Sequence, residues 1–198
     1  ENDANADIHE KTTAIEILND FKELGLDYWV SGYGTGGTFS GVSRVLREQS
    51  PKTKLVITEP ENAQLVSSLI TQKRNQDGSP AGAHDSWNPH PIQGWTPDFI
   101  PLVLQESIDK NYFDMNIPVR GEDGIYWSHQ LATNEGIITG ISGGSTFAVA
   151  MKIAEEAPDD SNILCMLADT AERYLTSILF EKIDSEMNDE ENEILNSI

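Results

Sequence analysis

Apolar residues at Ala14, Ile17, Leu18, Phe21 and Leu24 fall on one face at helical spacing. They predict a helix that opens on a capping pair, Thr13 and Glu16, and stops at Gly25. The next run, DYWVSG, is short and apolar and predicts a strand. From Thr38 the helical period returns with Phe39, Val42, Val45 and Leu46 inward, and it ends before Pro51. KLVITE, residues 54–59, predicts a second strand. Residues 71–95 lack a clear period, and loops of that length are usually functional or flexible. Further on, NIPV predicts a strand, residues 121–135 a helix, NILCMLA a last strand and ERYLTSILFEKI a helix. The order helix, strand, glycine loop, helix, strand favours an α/β fold with a mostly parallel sheet flanked by helices. Two glycine-rich strand-to-helix turns stand out, at 32–38 and 140–146.

Composition narrows this picture. A chain of 198 residues suits one domain with a real core. A net charge of -20 argues against nucleic-acid or anionic-membrane partners, which it would repel. Six acids and no base lie between Asp184 and Glu193, so residues 184–198 read as a solvated acidic tail behind an α/β portion at 1–183. The single cysteine, Cys165, excludes an internal disulfide and reads as a buried small hydrophobe, and no Cys/His cluster has zinc spacing. No apolar run approaches the ~20 residues of a membrane helix. A cytoplasmic setting is the expectation. The opening ENDANADIHEK, without an initiator Met, leads us to expect a fragment.

Candidate chemistry centres on the glycine turns. Gly32, Gly34 and Gly37 spell G-x-G-x-x-G, and Glu59 lies 22 residues past Gly37, where an acid could meet a dinucleotide ribose. Pro60 and the hydroxyls of Thr35 and Thr38 favour a phosphate monoester over a dinucleotide, because hydroxyls at a helix start donate to a terminal phosphate, and a purely structural glycine turn is the alternative that spacing leaves open. A P-loop is excluded, since no lysine lies between Lys22 and Lys52. Gly140-Ile141-Ser142-Gly143-Gly144 matches a hydrolase elbow, but His9, His84, His90 and His129 all precede Ser142, so the triad order fails. Ser142 therefore reads as a hydrogen-bonding group. His84 and His90 read as loop-packing residues, and Trp87 and Trp95 as loop anchors.

Taken together, ENDANADIHEKTTAIEI, GTGGTFSGVSRVLRE, VITEPENA, HPIQGWTPDFIP, EGIITGISGGST and DTAERYLTS resemble, in order, segments of the cysteine synthase (O-acetylserine sulfhydrylase) family. That family is pyridoxal-phosphate-dependent, shares the fold-type II (tryptophan synthase β-like) architecture and is close kin of cystathionine β-synthase. The resemblance implies that Gly34, Thr35, Gly36, Gly37 and Thr38 cradle the 5′-phosphate of pyridoxal phosphate and that Ser142 bonds the pyridine nitrogen. It implies β-replacement on O-acetylserine by sulfide, through an aminoacrylate, to give cysteine. It also implies a small amino-acid substrate, a homodimer at full length and serine acetyltransferase as a candidate partner. The family's Schiff-base lysine belongs to an upstream segment that none of the eight lysines here matches, so the resemblance is to a C-terminal portion, inactive alone. A cystathionine-forming reaction, a nucleotide-dependent dehydrogenase and a non-catalytic binding half are the alternatives. Three departures mark this chain: Gln93–Phe99 reads QGWTPDF against the family's Q-G-x-G-x-G-F, Ala168 replaces a proline, and Ala171 replaces a glycine.

Overall fold

A computed structural model describes residues 2–184 and 186–197. Four strands form one all-parallel sheet: β1 (Tyr28–Gly32), β2 (Lys54–Pro60), β3 (Met115–Val119) and β4 (Ile163–Cys165), in the order β3-β2-β1-β4. In β1 and β2 both faces are buried, which is why these strands read as near-continuous apolar runs rather than alternating ones. Trp29, Leu55 and Ile57 face a cluster with Phe39, Val42 and Leu46. Val30 and Val56 face a second cluster with Ile141, Val149 and Ile153. Each fully buried aliphatic side chain of this kind contributes about 2 kcal/mol.

Helix α3 (Gly37–Gln49) covers one face, with all four of its predicted inward residues buried, and α6 (Ile141–Ala154) covers the other. Helices α1 (Ala4–Lys11) and α2 (Thr13–Asp20) precede β1, α4 (Leu102–Asp109) follows the long loop, α5 (Gly121–Gln130) packs on α6, and α7 (Asp189–Asn196) lies in the tail. The strand order carries a consequence. The chain runs outward from β1 through β2 to β3, then returns to lay β4 on the other side of β1. The point of reversal, at the carboxyl ends of β1 and β4, is where open parallel sheets leave a ligand crevice.

Several expectations need correction. The predicted first helix is α2, preceded by an unanticipated helix, α1, and α2 has Thr12 at its N-cap with no side-chain cap, so Thr13 and Glu16 form no capping box. Leu24 lies beyond the helix and is exposed. The second glycine turn does not follow a strand, because Thr139 makes only an isolated bridge to Thr170. In place of the helix expected over 172–183 the chain makes a short 3-10 turn, Ala171–Tyr174, followed by further turns. Ser177 explains part of this: its hydroxyl donates to the Tyr174 carbonyl and accepts from the Leu179 amide, offering the backbone a turn in place of a helix. In the acidic tail, Asn188 and Glu191 form a full capping box for α7, none of whose residues is buried. Helix α4 also went unpredicted.

The long loop, by contrast, is irregular as expected and is fastened by polar side chains. The Gln72 amide nitrogen donates to the carbonyls of Lys73 and Gly82, and its oxygen accepts from the Ile100 amide. His84 donates through Nε2 to the Ile70 carbonyl and accepts at Nδ1 from the Ser86 amide. Trp87 Nε1 and His90 Nε2 both donate to the Thr96 carbonyl, at 3.1 Å each. His84, His90 and Trp87 thus pack the loop, as the sequence suggests.

Candidate active site

The first glycine turn leaves the buried end of β1 and enters α3. Gly36, the N-cap, has φ +87°, a conformation that costs a side-chain-bearing residue about 1–2 kcal/mol, and a Cβ there would press on Leu104. The first intrahelical bond is from the Ser40 amide to the Gly36 carbonyl, so the amides before it are left for other acceptors at the positive end of the helix. Close approach accounts for two more glycines. A Cβ on Gly34 would meet the Gly94 carbonyl, and one on Gly37 would meet the Asn5 amide group.

Helix α1 braces this turn from outside. Asn5 Nδ2 donates to Thr35 Oγ1 at 2.7 Å. His9 bridges two hydroxyls, with Nε2 3.1 Å from Thr38 Oγ1 and Nδ1 3.0 Å from Thr13 Oγ1. Burial holds the His9 imidazole below its ordinary pKa. Arg44 on α3 pairs with Glu10 of α1 at 3.2 Å and with Glu106 of α4, tying the three helices together. Hydrogen bonding to Glu106, ahead of the other interactions, raises the Arg44 guanidinium and lowers the Glu106 carboxyl.

The second glycine turn opens α6, with Gly140 as N-cap and Ser142 in the first turn. A Cβ on Gly143 would strike the Thr139 side chain, and one on Gly144 the Gly124 carbonyl and Ser128. Thr146 Oγ1 donates to the Met166 carbonyl at 2.6 Å, fixing α6 to the chain just past β4. That chain continues to Asp169, whose Oδ2 accepts from the Tyr174 hydroxyl. The contact with the Asp169 carboxylate, with burial second, pushes the Tyr174 phenol up to about 12.

Both turns open on one cavity of about 340 Å³ at the point of strand reversal. Gly34 to Thr38 line one end, and Ser142, Asp169 and Tyr174 are among its other walls. Trp95 closes a side, its ring stacked where a side chain on Gly32 would be. No lysine or arginine lines the cavity among the described residues, so an anion there would be met by amides, hydroxyls and a helix terminus. Asp169 Oδ1 is buried without a hydrogen-bond partner, as expected of a pocket shaped for a polar guest. The structure therefore brings together all six residues the sequence singled out: Gly34, Thr35, Gly36, Gly37, Thr38 and Ser142.

Glu59 sits elsewhere. It is 0% exposed and accepts hydrogen bonds from Tyr33 Oη, the Val66 and Ser67 amides, Ser67 Oγ and Asn116 Nδ2. A carboxylate so enclosed is spoken for and offers nothing to a ribose. Burial, followed by the Glu59 charge and hydrogen bond, drives the Tyr33 phenol well above its usual range. Cys165, just before the cavity wall, has its thiol pushed by burial to about 11.

Asn5, His9, Asp169 and Tyr174 were missed as site residues. Asn5 and His9 stand four apart on one face of α1, a spacing that could have marked them together. The loop that departs from the family pattern is also strained. Thr96, where the family has glycine, is buried at φ +36°, with its amide donating to the Tyr33 carbonyl at 2.8 Å.

Comparison with known proteins agrees with this geometry. The family described as pyridoxal-phosphate dependent enzyme matches residues 1–169. O-ureido-L-serine synthase of Streptomyces lavendulae is 41% identical over 189 residues, 96% of this chain and 52% of that protein. Cysteine synthase B of Campylobacter jejuni is 41% identical over 180 residues, 91% of this chain and 52% of that protein. Among solved structures, O-ureido-L-serine synthase superposes with a TM-score of 0.81 at 39% identity, covering 96% of this chain and 54% of the other. The O-acetylserine-dependent cystathionine β-synthase of Helicobacter pylori superposes at 0.71 and 30% identity, covering 91% and 52%. The chain spans about half the length of the relatives it matches. With an all-parallel sheet, a cavity at its reversal point and this match, the chain belongs to the pyridoxal-phosphate-dependent enzymes, on the cysteine-synthase-like branch of that family.

Proposed function

We propose that this chain is the cofactor-holding part of a cysteine-synthase-like transferase that replaces the β-substituent of O-acetylserine with sulfide. The observation that carries the proposal is that two glycine turns, starting 108 residues apart in the chain, line one cavity with hydroxyls at both. In this reading the amides and hydroxyls of Gly34–Thr38 hold the phosphate, and Ser142 bonds the ring nitrogen. Pyridoxal phosphate supplies an electron sink for chemistry at the substrate's α and β carbons. Ser142 sets how deep that sink is, because a hydroxyl does not hold the ring nitrogen protonated as a carboxylate would. Trp95 narrows the cavity from one side. Residues 1–183 form the cofactor-binding portion in this account, and 184–198 an appended acidic tail.

The base and cofactor-linking lysine belongs, in this proposal, to a segment outside these 198 residues. The chain by itself is then expected to bind pyridoxal phosphate reversibly, with borohydride fixing none of it to protein. A single lysine labelled after borohydride treatment, located by peptide mass spectrometry, would contradict this. In the whole protein, O-acetylserine and sulfide are expected to give cysteine. Formation of cystathionine or O-ureido-L-serine in its place would move the assignment to the reaction of another relative.

A further inference from the structure

The turn that meets the phosphate in the proposed function carries two hydroxyls, and one of them has its lone pairs engaged from behind. Asn5 Nδ2 donates to Thr35 Oγ1 at 2.7 Å, and the Gly37 amide lies 3.5 Å from the same oxygen. A hydroxyl has one proton to give. An oxygen that already accepts from a side-chain amide is left to use that proton as a donor, and accepting makes it a stronger one. Asn5 is also the group against which the turn closes, since a side chain on Gly37 would collide with its amide. Asn5 thus touches both the hydroxyl and the backbone of the turn, from a helix that Arg44 clamps to α3.

We infer that Asn5 is a positioning residue for the anion seat: by donating to Thr35 it turns the Thr35 proton towards the phosphate of the bound ligand. This rests on the cradle reading above. The residue does not touch the phosphate. It fixes which way a neighbouring hydroxyl faces, and it makes the turn selective for an acceptor, that is, for a phosphate over a ligand lacking one.

The test is the ratio of affinities for pyridoxal 5′-phosphate and pyridoxal, measured by calorimetry on the chain and its variants. Asn5→Ala is expected to lower that ratio about threefold by removing the donor. Asn5→Asp, which can only accept and so reverses the Thr35 hydroxyl, is expected to lower it about tenfold or more. In a Thr35→Val background, Asn5→Ala is expected to leave the ratio unchanged, because there is no hydroxyl left to orient. Asn5→Ala without effect on the ratio in the wild-type background would overturn the inference. So would an equal loss in both backgrounds, which would mean that Asn5 merely props the Gly37 backbone. A wild-type chain with no preference for the phosphorylated ligand would remove the cradle reading itself, and this inference with it.

Discussion

The two glycine turns carry the same signature in sequence and do different work in space. In the turn after β1, glycines hold a left-handed N-cap and a close approach of loop to loop, and the two threonine hydroxyls of the turn are braced by Asn5 and His9 of α1. In the turn before α6, the glycines serve helix packing: Gly144 lets α6 lie against the Gly124 carbonyl of α5, and Gly143 makes room for Thr139. That second turn lines the cavity with Ser142 and Thr146, and the Thr146 hydroxyl is already spent on the Met166 carbonyl. The difference teaches that glycine spacing reports close backbone approach, while the approaching group decides whether the result is a binding turn or a packing joint.

Variants at the two turns should separate these jobs. The largest effect is expected at the packing joint: Gly144→Ala should destabilise the fold by about 3 kcal/mol, since its Cβ meets backbone that cannot yield. Urea unfolding measures it, and a loss below about 0.5 kcal/mol would mean that the α5–α6 contact is slack. Next, Thr38→Ala should weaken pyridoxal phosphate binding by about 2 kcal/mol, roughly thirtyfold, with little change in unfolding midpoint. If affinity held, Thr38 would be a packing residue like those of the other turn. Ser142→Ala should cost about 1 kcal/mol and weaken pyridoxal and its phosphate alike, because its hydroxyl serves the ring and not the anion. The smallest effect involves His9. Its pKa is lowered by folding, so the unfolded chain takes up the proton first as pH falls. Stability tied to His9 is complete above about pH 6.5 and declines below it. Thermal unfolding of His9→Gln should show a shallower decline between pH 7 and 5 than the unsubstituted chain. An identical slope would remove His9 from the account.

Much of the frame was legible in the sequence because β1, β2 and α3 are local patterns: two apolar runs and one helical stripe, with Phe39, Val42, Val45 and Leu46 all buried as spaced. The strand order was not legible, for β4 joins β1 through a register with Tyr28 and Ile163 that lie 135 residues apart. The cavity depends on that order. Glu59 shows the same limit. Its distance from Gly37 suits a ribose acid, but the Tyr33, Ser67 and Asn116 groups that enclose it come from other segments. The segment after Asp169 misled for a local reason, as Ser177 satisfies in turns the backbone that an apolar pattern assigned to a helix.

The central claim is that the turn at Gly34–Thr38 is a seat for a phosphate monoester. Calorimetric titration of the chain with pyridoxal 5′-phosphate and with pyridoxal tests it most directly. The account predicts that pyridoxal binds at least about tenfold more weakly, as the loss of charge-assisted hydrogen bonds requires, and that Thr38→Ala narrows the gap. Equal affinities for the two ligands, unchanged by Thr38→Ala, would contradict it.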